Sequence, residues 1–144
     1  MTDTEFLRAF EDTTLEPFHH RDHLRVTWLY LRQFGEAETR QRLGPAILRY
    51  AAARDASQKY HETITVAWIC LVSAASAGAD DFEAMLAAHP RLLDKNLLGR
   101  YYSPEVLQSS EARERWVEPD KCRAGWQRLL KKAIPSPLPS VAAR

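Results

Sequence analysis

Apolar residues in this chain recur three and four positions apart, and no apolar/polar alternation of strand length occurs, so the pattern predicts helices throughout. Thr2 and Glu5 have the spacing of a capping box and predict a first helix over about 3–12, with Pro17 closing the connection that follows. A second helix is predicted from Phe18 or His19 to Phe34, stopped by Gly35, which tolerates the left-handed backbone of a helix end. A third spans about 36–55. A kink or split is expected in it at Gly44-Pro45, where proline removes an N–H and its ring crowds the preceding turn. The fourth, about 60–78, is apolar on nearly every face and is therefore predicted to lie at the centre of the fold.

Shorter elements follow. Asp80 with Glu83 predicts a capped helix ending before His89-Pro90, and a second short helix is predicted over about 91–100. Ser103-Pro104-Glu105 combines an N-cap, a proline at the first helical position and an acid in the first turn, predicting a helix to about Val117 with a break near Ser109-Ser110. Pro119-Asp120 opens a last helix to about Lys132. The predicted class is all-α: an irregular helical bundle around a central apolar helix (about 60–78), forming a single domain over 1–134. Pro135, Pro137 and Pro139 predict a mobile tail over 135–144.

Composition narrows the function classes. With 45% hydrophobic and 27% charged residues, the chain is far from the balance of a disordered one. Twenty Lys and Arg against nineteen Asp and Glu leave a formal charge of +1, so no field favours phosphate backbones or anionic lipid, and neither nucleic acid nor membrane is an expected partner. The longest apolar stretch, Ile64 to Ala79, is broken by Thr65, Ser73 and Ser76 and is shorter than the roughly 20 residues a bilayer requires. The N-terminus has no secretory pattern, and Cys70 and Cys122 have neither metal-ligand nor CxxC spacing. The expectation is a cytoplasmic protein with reduced thiols.

The candidate chemistry lies in the histidines. On a wheel of about 100° per residue, Leu24, Trp28, Leu31 and Phe34 mark the core face of the second helix, and His19, His20 and His23 fall on that face while Arg21, Arg25 and Arg32 fall opposite. Buried imidazoles need partners, at a cost of roughly 1–3 kcal/mol for each unpaired polar group. His19 and His23 stand at i and i+4, a spacing that converges two imidazoles on one ion. His61 opens the central helix. If helices 19–34 and 60–78 run parallel, with 36–55 as the return, His61 lies beside that turn and completes a three-histidine site.

Such a set, with an open position for water, suits a divalent transition metal: Fe, Zn, Cu, Ni or Mn. Glu62 is placed to be a fourth ligand, a second-shell acceptor or a general base, and His20 is a further candidate catalytic residue. Thr65 stands where the zinc-protease HExxH motif needs histidine, and the paired Glu-x-x-His motifs of di-iron bundles do not occur. Tyr60, Arg100 and Tyr101 are candidates for shaping a substrate pocket, although tyrosines placed as Tyr101 and Tyr102 are more often used to pack a loop onto the bundle. The four tryptophans and Cys70 read as packing residues. Arg40, Arg42, Arg49 and Arg54, interleaved with Glu36, Glu38 and Asp55, read as a solvated face.

Phe18-His19-His20-Arg21-Asp22-His23-Leu24-Arg25, Tyr60-His61-Glu62-Thr63-Ile64-Thr65 and Tyr101-Tyr102-Ser103-Pro104 resemble the FHHxDHLR and YHETxT motifs and the later segment of a group of small bacterial all-helical hypothetical proteins. The resemblance covers most of 18–120 and implies a complete member of that group, without implying a reaction. From the residues, the leading expectation is a small metal-dependent enzyme acting on a small molecule, with His19, His23 and His61 as ligands. Two alternatives stand beside it. One is a non-catalytic small-molecule-binding or interaction protein whose histidines are structural, and the other is a metal-free enzyme with His23 or His61 as general base. An apolar helix face left over when the bundle closes would favour a homodimer.

Overall fold

The structure is a computed structural model and describes residues 1–132. The predicted tail over 135–144 lies outside the described residues. Every regular element among the described residues is helical: α1 (Asp3–Glu11), α2 (His20–Ala52), α3 (Glu62–Ser76), α4 (Phe82–Ala88), α5 (Pro104–Leu107), α6 (Ser110–Glu114) and α7 (Arg123–Lys132), with short 3-10 turns at Ser57–Lys59, Pro90–Leu93 and Leu97–Arg100. None of these helices is long and apolar enough to cross a membrane.

Local chemistry accounts for most of the helix starts. At α1, Thr2 Oγ1 accepts from the Glu5 N–H at 3.1 Å while Glu5 accepts from the Thr2 N–H at 2.7 Å, the reciprocal pair of a capping box. Gly35, at φ +78° and ψ 172°, breaks α2 into two arms, 20–34 and 36–52. Helical backbone angles continue through Gly44 and Pro45, contrary to the split expected there. Pro45 is exposed, so the lost backbone hydrogen bond lies on the wet side of the arm. The cap of α4 is Asp81, whose carboxylate accepts from the Ala84 N–H at 2.7 Å, one residue later than the Asp80 expected. The helix expected over 91–100 is two 3-10 turns instead, because the Asp94 side chain accepts from the Asn96 N–H at 2.9 Å and closes a local turn between them. α5 and α6 divide at Ser109, which caps α6.

Side-chain contacts set the directions of the helices. The rings of Phe18 and Tyr50 lie 4.7 Å apart and Arg42 lies over Phe34 at 4.4 Å, so the two arms of α2 form an antiparallel hairpin. Gly44 meets Tyr60 and Glu62 at the start of α3, and Arg40 reaches Cys70 further along it at 3.0 Å. The second arm is therefore antiparallel to α3, and the first arm runs parallel to it. α3 buries twelve of its fifteen residues and packs on α2, α4, α6 and α7.

Two apolar clusters result. Leu24, Trp28, Trp68, Leu71, Met85, Tyr102 and Trp126 join the first arm of α2 to α3, α4 and α7. Phe6, Phe10, Val26, Tyr30, Leu43 and Tyr50 join α1 to both arms, with Ile69 bringing α3 into the same cluster. Tyr50 donates to the Leu15 carbonyl at 2.5 Å, tying the 13–18 segment to the end of α2.

Candidate functional site

The histidines are dispersed by the way each helix begins and by the register between helices. α2 starts at His20, so His19 is its N-cap rather than part of its inner face. The His19 N–H donates to Asp22 Oδ2 at 2.9 Å and its side chain, 75% exposed, projects to solvent. His19 therefore does not point inward as the wheel suggested. His20 sits with its ring 4.7 Å from that of Trp68, edge to face, and its Nε2 is 2.8 Å from the Leu92 carbonyl oxygen. His23 is partly buried, meets the Phe18 ring edge-on at 6.2 Å, and has its pKa pushed down to about 4 by burial and then by the nearby His20.

His61 is buried at the entrance to α3. Its Nδ1 accepts from the Ile64 N–H at 3.1 Å, which leaves the proton on Nε2 to be donated to the Leu107 carbonyl at 2.7 Å. Both nitrogens are thus used by backbone, and burial lowers the pKa. The helices are parallel, as a joint site requires, but His20 lies beside Trp68, seven residues beyond His61. That offset is on the order of 10 Å along the axis. His20 and His23 are neighbours, whereas His19 turns to solvent and both ring nitrogens of His61 are taken at the entrance to α3. Among the described residues, no three His, Cys, Asp or Glu side chains are arranged to hold a metal ion. The donor set of the expected metal centre does not fit such an ion in this arrangement.

The remaining candidates separate as well. Tyr101 is buried with its ring 5.0 Å from Trp126 and serves packing, and Arg100 is exposed at the end of the 97–100 turn. Tyr60 donates to Glu62 Oε1 at 2.6 Å, and burial, reinforced by that bond, raises the phenol above its ordinary pKa. Gly44 makes room for this pair.

Tyr60 also lines a cleft of about 750 Å³, in the range of small-molecule sites. One wall is the chain at Glu16, Pro17 and Phe18, the floor is Ile47, Tyr50 and Ala51 of α2 with Arg54 just beyond its end, and the other wall is Ala56, Lys59 and Tyr60. The second wall is pinned from outside, because Arg113 of α6 donates to the carbonyls of Gln58 at 3.0 Å and Tyr60 at 3.3 Å. Arg54 is held by bonds to the carbonyls of Thr13 (2.9 Å) and Leu15 (3.0 Å), and its guanidinium lies 3.9 Å over the Tyr50 ring. Sequence reasoning assigned Arg54 to a solvated face and passed over Phe18, Ile47 and Tyr50 as site residues. The signal present was the stripe at 47, 50, 51 and 54, spaced i, i+3, i+4 and i+7, which carries both apolar bodies and a cation.

Comparison of the chain with protein-family models, with curated proteins and with solved structures gave no match. The side chains themselves are the ground for a functional reading.

Proposed function

We propose that the protein binds a small molecule in the cleft between the 16–18 segment, the second arm of α2 and the 56–60 segment, with the histidines serving the fold. The observation that carries this reading is the cleft itself: about 750 Å³ of recess floored by Ile47, Tyr50 and Ala51 and walled by Phe18 and Tyr60. Apolar lining with a few fixed polar groups is the usual character of a ligand site. The polar groups are Arg54, Lys59 and Glu16. The other side of the reading rests on hydrogen bonding. His61 caps α3 and holds Leu107, and His20 contacts the Leu92 carbonyl, so each has a structural task in the present arrangement. Metal ligation by His61 through Nδ1 would give up the cap on Ile64, and ligation through Nε2 would give up both of its bonds.

A thermal-shift screen of compact apolar compounds tests the proposal. A ligand at 100 times its Kd stabilises the folded state by about 2.7 kcal/mol, which is readily seen in Tm. Ala51→Phe fills the cleft from its floor and is expected to abolish the shift while leaving the unliganded Tm close to that of the native chain. A panel that shifts neither protein, or that shifts both equally, rejects the reading.

A further inference from the structure

We infer that the cleft's ligand is an organic anion, an aromatic carboxylate, an inference that rests on reading the cleft as a ligand site. Three charged residues line the recess: Arg54 and Lys59 against Glu16. The only ion pair these residues make among the described residues is Arg54 Nη2 to Glu16 Oε1 at 3.5 Å. Two cations against one carboxylate leave the lining with one positive charge in excess, and Lys59 is the cation without a carboxylate partner there. Glu16 is 76% exposed, so its contact with Arg54 is a weak, solvated one that a better-placed carboxylate can supplement or displace.

Arg54 is the preorganised part. Two of its five N–H donors hold the Thr13 and Leu15 carbonyls, three remain, and the planar group is stacked on Tyr50. A guanidinium already fixed this way loses little further rotamer freedom when it receives a carboxylate. The Leu15 carbonyl that takes Arg54 also takes the Tyr50 hydroxyl, so the cation and the ring beneath it share one anchor. The Phe18 ring, 4.7 Å from Tyr50, continues the aromatic surface. A flat apolar body against Phe18, Tyr50 and Ile47, with its carboxylate toward Arg54 and Lys59, matches both features of the lining.

The test is a charge series on one body: 2-naphthoate, the neutral 2-naphthamide and the cationic 2-naphthylmethylamine, titrated into the ¹⁵N-labelled full chain. The naphthoate is expected to move the amides of Tyr50, Ala51, Arg54 and Tyr60 and to bind about tenfold more tightly than the amide, the ratio of one screened ion pair. Lys59→Glu, at an exposed side chain, is expected to remove that preference, and added salt is expected to reduce it in the native chain. Equal affinities for naphthoate and naphthamide, or tightest binding of the amine, would overturn the anion inference and leave the cleft as a ligand site. If none of the three, nor any compound of the thermal-shift panel, moves these amides, the cleft reading falls with it. Shifts of the same amides on dilution alone would make the occupant a second copy of the chain and overturn both.

Discussion

The hydroxyl of Tyr60 occupies the space that Gly44 leaves open: a Cβ at position 44 would lie 2.5 Å from that oxygen. Glycine is needed here by the approach of another side chain, since helical backbone angles continue through this position. In an unobstructed helix, alanine would be the better residue by about 1 kcal/mol. Gly44→Ala is expected instead to destabilise by about 1–2 kcal/mol, because Tyr60 must move and strain or lose its bond to Glu62.

In a Tyr60→Phe background the obstruction is gone. The nearest atoms to the new methyl are then Glu62 Oε1 at 3.4 Å and the ring carbon at 3.7 Å. There Gly44→Ala is expected to be neutral or to stabilise by up to about 1 kcal/mol, a reversal of sign that urea denaturation of the four proteins will read. An equal penalty in both backgrounds would place the conflict elsewhere.

His61 ties two backbone segments together, and its removal should be felt in both. His61→Ala is expected to cost about 1–3 kcal/mol, combining a lost N-cap with an unpaired, partly buried carbonyl at Leu107. His61→Asn, which can still cap, should recover part of the loss. One equivalent of Zn²⁺ is expected to leave the native Tm unchanged; a rise that disappears in His61→Ala would show that ligation outcompetes the hydrogen bonding of this ring.

Acid should destabilise the fold through His23. Its pKa in the folded state is about 4, below the usual value near 6.5 in an unfolded chain, so the unfolded state takes up the proton first as pH falls. The contribution is therefore fully present above about pH 6.5 and is lost between there and about pH 4. Its size is about 2 kcal/mol, set below the full conversion because the ring is partly exposed. Urea midpoints at pH 7.5 and pH 4.5 should differ less in His23→Gln than in the native chain, and an unchanged difference would assign the acid sensitivity to other groups.

The two thiols should separate cleanly. Cys70 is buried in α3 with its pKa pushed up to about 11 by burial, against the opposing effect of Arg40, whereas Cys122 is exposed before α7. A disulfide reagent at pH 8 is expected to titrate one thiol quickly in the native protein and the second only on unfolding, and Cys122→Ser should remove the fast phase.

The sequence by itself determined the all-α class and most of the helix starts, because these depend on groups three or four residues apart. Thr2 with Glu5, Ser103 before Pro104 and Gly35 at the hairpin turn act through neighbours that the chain order already supplies. The misplacements are of the same local kind: Asp81 caps where Asp80 could have, and Asp94 closes a turn inside a segment that reads as helix. The parallel course of the first arm of α2 and α3 was one of two arrangements open to the sequence, and the contacts of Gly44 and Arg40 with α3 select it.

The tertiary structure decided what the helices present to one another. Parallel helices can pack in several registers, and the packing that sets Trp68 against His20 leaves His61 to bond Leu107, whose carbonyl arrives from 46 residues away. The wheel that turned His19 inward assumed a helix starting at Phe18 or His19, one or two residues before the one its own N–H and Asp22 begin. The cleft likewise has its floor in a stripe at 47, 50, 51 and 54 but its depth in the 13–18 segment crossing above it, fastened by carbonyls of Thr13 and Leu15 that no periodicity marks. Helix formation is governed by short-range geometry along the chain, whereas a site is a coincidence of surfaces that only packing brings into register.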